Sequence, residues 1–221
     1  MSTTKGVIFY TDNRAPEEIL SEVFSRITAA AYRFHMPITI STPETVGGVR
    51  SYPTMVRQII YCLEHNSAEN VFFCESDVLY PESHFEFSPP KKDVFYYNDH
   101  VWRWDYPNNR YITYNGLLSL SQLCVNREYA LQHFKKRLEI IQGLGEEALR
   151  GREPKWARRM GYEPGTKKIR KGGVSDDEKE TWHSQDPIID VRHGKTFSPR
   201  KVNLSDFKHP PMGWRETNER P

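Results

Sequence analysis

Asn70-Val71-Phe72-Phe73-Cys74-Glu75-Ser76-Asp77-Val78-Leu79-Tyr80-Pro81 runs from an apolar stretch into two carboxylates one residue apart. The apolar part has the length and composition of a buried strand. Alternation along a strand puts Glu75 and Asp77 on one side as the strand runs out, where both can reach one hard cation. Residues 79–81 then turn the chain away. Open α/β sheets bind ligands beyond the carboxyl ends of their strands, so a D-x-D-type pair at that place points to a divalent metal holding a diphosphate. In isolation the same residues read as a strand followed by a solvated acidic turn, and the rest of the chain has to decide between the two.

Upstream, Lys5-Gly6-Val7-Ile8-Phe9-Tyr10 is a short apolar run without helical spacing, followed by Thr11-Asp12-Asn13-Arg14: a buried first strand ending in a polar loop. Pro16-Glu17-Glu18 opens a helix whose Ile19, Leu20, Val23, Phe24 and Ile27 form one apolar face. Residues 37–41 read as a second strand. A Gly47-Gly48 loop carrying Arg50 follows, then a helix over 53–64 with Met55, Ile59, Ile60 and Leu63 inward. With the strand at 71–74 this strand-helix-strand-helix-strand order predicts a parallel, doubly wound sheet.

Downstream the pattern changes. A strand over 93–98 is followed by aromatic β-like segments at 101–106 and 110–120, joined by the turn Pro107-Asn108-Asn109. Trp102 and Trp104 share one face of this hairpin, and Arg103 and Asp105 share the other. The tryptophans read either as the buried face or, with Tyr106 and Tyr111, as a stacking platform, and the polar pair is left to meet an acceptor. Asn126 caps a helix over 127–143 that buries Ala130, Leu131, Phe134 and Leu138. Residues 176–180 read as a polar helix-like turn, 187–191 as a strand followed by His193-Gly194, and 203–221 as a tail without a regular period.

A chain of 221 residues with 37% hydrophobic and 13% aromatic content builds one globular domain over 1–221. It divides into a first half (1–100), a second half (101–205) containing a basic insertion (150–173), and a tail (206–221). No apolar run reaches the ~18 residues of a membrane span, and Ser2-Thr3-Thr4-Lys5 leads into a strand with no signal-peptide core, so a soluble cytoplasmic protein is expected. Cys62, Cys74 and Cys124 sit in apolar patterns without C-x-x-C spacing and read as reduced core thiols. The net charge of +2 is uneven: residues 150–173 hold nine Lys/Arg against two Glu, a local balance of +7 that leaves −5 on the rest. Lys155, Arg158, Arg159, Lys167, Lys168, Arg170 and Lys171 in that stretch are candidate phosphate contacts, and Trp156, Met160 and Tyr162 lie among them.

Three segments together, Tyr10-Thr11-Asp12-Asn13-Arg14, Glu75 through Phe85, and Asp190-Val191-Arg192-His193-Gly194-Lys195, resemble small GT-A-fold glycosyltransferases related to family 2. Some of these are similar to phage enzymes that glycosylate 5-hydroxymethylcytosine in DNA. The resemblance spans roughly residues 5–205. It implies an α/β nucleotide-sugar-binding sheet with a mixed β acceptor region, a UDP-sugar donor (glucose by analogy), and Mn²⁺ or Mg²⁺ as cofactor. Tyr10, Thr11, Asp12 and Asn13 would contact base and ribose, and Arg50 and Arg57 would meet the diphosphate or line the donor pocket, suited to it by the planar guanidinium. Asp77 and Glu75, with His193 completing the shell, would hold the metal. The first carboxylate is Glu75 where the family usually has Asp, which makes Asp77 the firmer ligand. For an inverting reaction the general base would be Asp186, in Ser184-Gln185-Asp186-Pro187.

Other readings stay open at this stage. His84 and His183 are active-site candidates or half-buried structural histidines, and Asp186 is equally a turn residue before proline. A transferase acting on a surface glycan or small molecule shares the donor chemistry, and a non-catalytic nucleic-acid-binding module shares the charge pattern. A nucleotidyltransferase would need a Gly-rich loop after the first strand, which Thr11-Asp12-Asn13-Arg14 does not supply.

Overall fold

The computed structural model describes residues 4–145, 160–161, 163–166, 177–196, 200–209, 211 and 213–221. The seven candidate phosphate contacts between Lys155 and Lys171 lie outside the described residues, as do Trp156 and Tyr162.

The opening follows the sequence pattern. β1 (Lys5–Tyr10), α1 (Glu17–Arg33), β2 (Ile38–Ser41), α2 (Tyr52–His65) and β3 (Asn70–Glu75) come in that order, and β1 pairs in parallel with both β2 and β3. β1 and β3 are buried on two sides, whereas β2 lies at the sheet edge with Ile40 exposed. Val7 and Phe9 of β1, with Phe72 and Cys74 of β3, pack toward α1, while Ile8 and Tyr10, with Val71 and Phe73, pack toward α2 and α3 (Arg127–Gly143). That two-sided burial is why these strands read as continuous apolar runs.

Parallel pairing stops at β3. β8 (Leu123–Asn126) runs antiparallel between β3 and β5 (Val94–Asn98), and β9 (Glu178–Trp182) closes the edge parallel to β5, giving the order β2-β1-β3-β8-β5-β9. Residues 178–182 are thus a strand, where the sequence suggested a helix-like turn. Edge position explains the misreading: Glu178, Lys179 and Thr181 are exposed and only Glu180 and Trp182 are partly covered, so charge replaces the apolar signal.

A second sheet has the order β11-β7-β6-β10-β4, from β11 (Glu216–Thr217), β7 (Arg110–Thr113), β6 (Val101–Asp105), β10 (Ile188–Arg192) and β4 (Val78–Leu79). The β6–β7 hairpin forms over the expected turn, with Asn109 in the left-handed region at φ 46°. Its faces differ from expectation. Arg103 and Asp105 are buried, 5% and 0% exposed, and offer nothing to an acceptor. Arg103 donates to Asp190 (3.2 Å) and lies 3.9 Å over the Tyr114 ring, while Asp105 accepts from Asn108 and Arg110 and pairs with Arg200. Trp102 and Trp104 cover the core from the other side, with Trp104 stacked on Tyr111. The tail also acquires structure, since β11 pairs with β7 and Arg220 reaches Glu22 of α1 (2.7 Å).

All three cysteines are free and buried, as expected of core thiols, and burial pushes the Cys62 thiol up to about 12. Among the described residues no helix is long and apolar enough to cross a membrane.

Candidate active site

One cleft opens where β1, β3 and β10 end, about 650 Å³ including the part open to solvent. It brings together Tyr10, Thr11, Asp12, Arg50, Glu75, Asp77 and His193, seven residues singled out in the sequence. Several backbone features hold it in place. Gln58 of α2 donates to the carbonyls of Thr11 (2.9 Å) and Ser41 (3.0 Å), tying the ends of β1 and β2. Ser51 caps α2 by accepting from the Thr54 N–H (3.2 Å), so the amino end of that helix borders the cleft. Arg50 is ion-paired with Asp12 across the mouth.

The acidic pair divides its duties. β3 ends at Glu75, and Asp77 sits in the turn to β4. The Tyr10 hydroxyl, opposite Glu75 in the β1–β3 register, donates to Glu75 Oε1 at 2.6 Å. Burial and then the Asp77 charge push the Glu75 carboxyl up to about 8, and burial followed by the Glu75 charge pushes the Tyr10 phenol well up. Glu163 adds negative potential to both and is itself raised to about 7 by burial.

Asp77 instead meets His193. The Val191 N–H donates to the Asp77 carbonyl (2.8 Å), and β4 pairs antiparallel with β10, so the chain leaving β10 passes beside the β3–β4 turn. His193 Nε2 comes to 3.7 Å from Asp77 Oδ2, a gap that two metal–ligand bonds of about 2.1 Å can span. A carboxylate and an imidazole lining one cleft fit Mn²⁺ better than a sulfur-seeking ion. The expected three-residue shell is not assembled as such. Among the described residues no group of three or more His, Cys, Asp or Glu is placed to hold one ion, because Glu75 is turned to Tyr10. The remaining ligands would have to be phosphate oxygens and water.

Three expected residues lie elsewhere. Asp186 precedes β10 while His193 follows it, so the strand's roughly 16 Å length separates them, and Asp186 accepts from Ser83 (3.2 Å). Arg57 is rotated off the α2 face that carries Ser51, Met55 and Gln58, and donates to Thr54 Oγ1 one turn back (3.2 Å). Asn13 is exposed, with φ 57°, and only its backbone N–H is used, donating to Thr11 Oγ1 (2.9 Å). Neither histidine alternative reaches the cleft: His84 is buried among Phe72, Tyr80 and Phe85, and His183 is a surface residue paired with Asp99. Sequence reasoning missed Ser51, Gln58, Lys195 and Thr196 as lining residues. Gln58 carried a signal, a polar residue on the inward stripe of an apolar helix.

No protein-family model matches the chain, and no curated protein does either. Among solved structures it is similar to a glycosyltransferase involved in glycosylation of the major capsid of PBCV-1, with a TM-score of 0.49 and 8% identity over 80% of this chain and 81% of that one. It is also similar to Drosophila β-1,4-galactosyltransferase 7, in a mutant complexed with manganese, UDP-Gal and xylobiose (TM-score 0.41, 14% identity, 69% of this chain and 65% of that one). The catalytic domain of the same Drosophila enzyme with xylobiose gives a TM-score of 0.39 at 16% identity, over 61% of this chain and 52% of that one.

Proposed function

We propose that the protein is a metal-dependent glycosyltransferase of the GT-A type, moving a sugar, glucose by analogy, from a UDP-sugar to a hydroxyl acceptor. The observation that carries the reading is the convergence of Tyr10, Thr11, Asp12, Arg50, Asp77 and His193 on one cleft at the carboxyl ends of parallel strands. In this reading Tyr10, Thr11 and Asp12 orient the nucleoside, Arg50 exchanges Asp12 for a phosphate, and Asp77 and His193 hold Mn²⁺ or Mg²⁺. A divalent cation there supplies positive charge to the departing diphosphate. Glu75 acts behind them, accepting from the Tyr10 hydroxyl and fixing the floor of the cleft.

For the acceptor we propose 5-hydroxymethylcytosine in duplex DNA, supported by the family resemblance and by the +7 balance of residues 150–173. The test is turnover of UDP-glucose with Mn²⁺ and hydroxymethylated duplex DNA, reading UDP release and the mass of the digested nucleosides. A gain of one hexose, abolished by Asp77→Ala, is expected. UDP release without a DNA product would move the acceptor to a glycan or small molecule. DNA binding that survives Asp77→Ala with no turnover of any nucleotide sugar would leave a binding module.

A further inference from the structure

Gln58 is only 4% exposed, yet it lines the cleft. Both hydrogens of its amide nitrogen are committed, since Nε2 donates to the carbonyls of Thr11 (2.9 Å) and Ser41 (3.0 Å). A carbonyl can only accept, so these two bonds fix which arm of the amide is nitrogen and which is oxygen. Among the described residues nothing donates to Oε1, and that atom is not sealed in the interior, so it opens into the cleft that the side chain lines. The other polar side chains at this end are already engaged: the Thr11 hydroxyl accepts from the Asn13 N–H, the Ser51 hydroxyl accepts from the Thr54 N–H, and Asp12 pairs with Arg50. A buried acceptor held rigidly by two backbone anchors and lacking a donor is built to take an N–H from a ligand.

That oxygen stands at one end of the cleft. Its anchors are the last residue of β2 and the first residue after β1, whereas Asp77 and His193 follow β3 and β10, and β1 lies between β2 and β3. A nucleoside diphosphate held by its phosphates at Asp77 therefore directs its base toward Gln58. Met55, one helical turn before Gln58 on the same face, and Pro43, two residues beyond β2, also line the cleft. Apolar walls of this kind shed water from the edge of a base and leave an unmatched polar contact uncompensated. Of the two pyrimidines of RNA, uracil carries a hydrogen on N3 at the centre of its pairing edge, and cytosine carries a lone pair there. A lone acceptor facing that position welcomes the first and repels the second.

We infer that Gln58 reads the base of the donor nucleotide, with Oε1 accepting the N3–H of uracil and thereby selecting uridine over cytidine diphosphates. The inference rests on the nucleotide-sugar reading for the ligand, and on the Thr11 and Ser41 carbonyls alone for the direction of the amide.

The experiment measures binding of UDP, N3-methyl-UDP and CDP to the full chain in Mn²⁺ by titration calorimetry. A site that hydrogen-bonds a ligand group rejects the analogue lacking it, so UDP is expected to bind at least on the order of tenfold tighter than either of the others. Gln58→Met keeps the length and removes the acceptor, and should bring the three nucleotides to within about twofold of one another. Because that substitution also unties the two carbonyls, a second measurement is made on the unaltered protein with UDP labelled with ¹⁵N at N3: the bound imino proton should be protected from exchange with water. Equal affinity of the unaltered protein for all three nucleotides, an undiminished preference in Gln58→Met, or an imino proton that exchanges as fast as in free UDP overturns the assignment while leaving the nucleotide-sugar reading in place. Failure of every nucleoside diphosphate to bind removes that reading, and the assignment with it.

Discussion

Removing His84 from water leaves its imidazole neutral. The ring is fully buried against Phe72, Tyr80, Phe85 and Trp182, its Nδ1 is 3.1 Å from Asn98 Nδ2, and burial pulls its pKa down to about 3. The sign follows directly: below about pH 6.5 the unfolded chain takes up a proton that the folded ring refuses, so stability falls as pH drops from there toward 3. The slope attributable to this residue approaches about 1.4 kcal/mol per pH unit at its steepest. Denaturant unfolding at pH 7, 6 and 5 should show wild type losing ground to His84→Phe as acid is added, and parallel losses in both would sink the assignment. At this scale the cleft residues were legible where they end a strand, as Tyr10 and Glu75 do, or follow one within two residues, as Asp77 and His193 do, because a strand end is a sequence-visible event. Asp186 and Arg57 do not line the cleft, because their placement depends on which end of a strand and which face of a helix they occupy.

β1 shows what an element demands of a single position. Gly6 is there because the side chain of Asn66 crosses beside it: a Cβ would come 2.5 Å from Asn66 Oδ1 and 2.7 Å from Ala68 Cβ. That Asn66 amide donates to the Val7 carbonyl (3.1 Å) and Thr39 Oγ1 (3.0 Å) and accepts from the Ala68 N–H (3.0 Å), joining β1, β2 and the start of β3. Gly6→Ala should therefore cost about 1–3 kcal/mol by overpacking, more if the amide loses its partners. A thermal midpoint unchanged from wild type would refute the close approach. At the start of α2, Ser51→Ala should cost about 1 kcal/mol through loss of the cap and widen the cleft mouth. Elements buried on both faces were readable because the apolar run is long enough to exclude a loop. β9 was not, since an edge strand built of Glu, Lys and Thr has no apolar period, and only its pairing with β5 makes it a strand.

Across the whole molecule, the order of elements fixed which strand ends meet, but not that β8 would insert antiparallel beside β3 or that β4 would bring Asp77 to β10. Those pairings join residues far apart in sequence, which local pattern does not encode. Charge, by contrast, is a whole-chain property that sequence counts directly: +7 on residues 150–173 and −5 elsewhere. A protein of that kind should hold a polyanion through the basic segment and repel it from the acidic remainder, so its DNA affinity should drop steeply with salt. Each phosphate neutralised contributes about 0.9 to the slope of log K against log salt, so replacing Lys167, Lys168, Arg170 and Lys171 together by Ala should flatten that slope by up to about 3.6. UDP affinity in Mn²⁺ should stay where it was if the donor is held, as proposed, by Tyr10, Asp12, Arg50 and Asp77. Fluorescence anisotropy with a short duplex between about 50 and 200 mM salt measures both quantities on the same preparation. An unchanged slope would mean that these cations are solvated surface and that the acceptor is not a nucleic acid, whereas a flattened slope with UDP binding intact would locate the polyanion on the segment and keep the two substrates on separate surfaces.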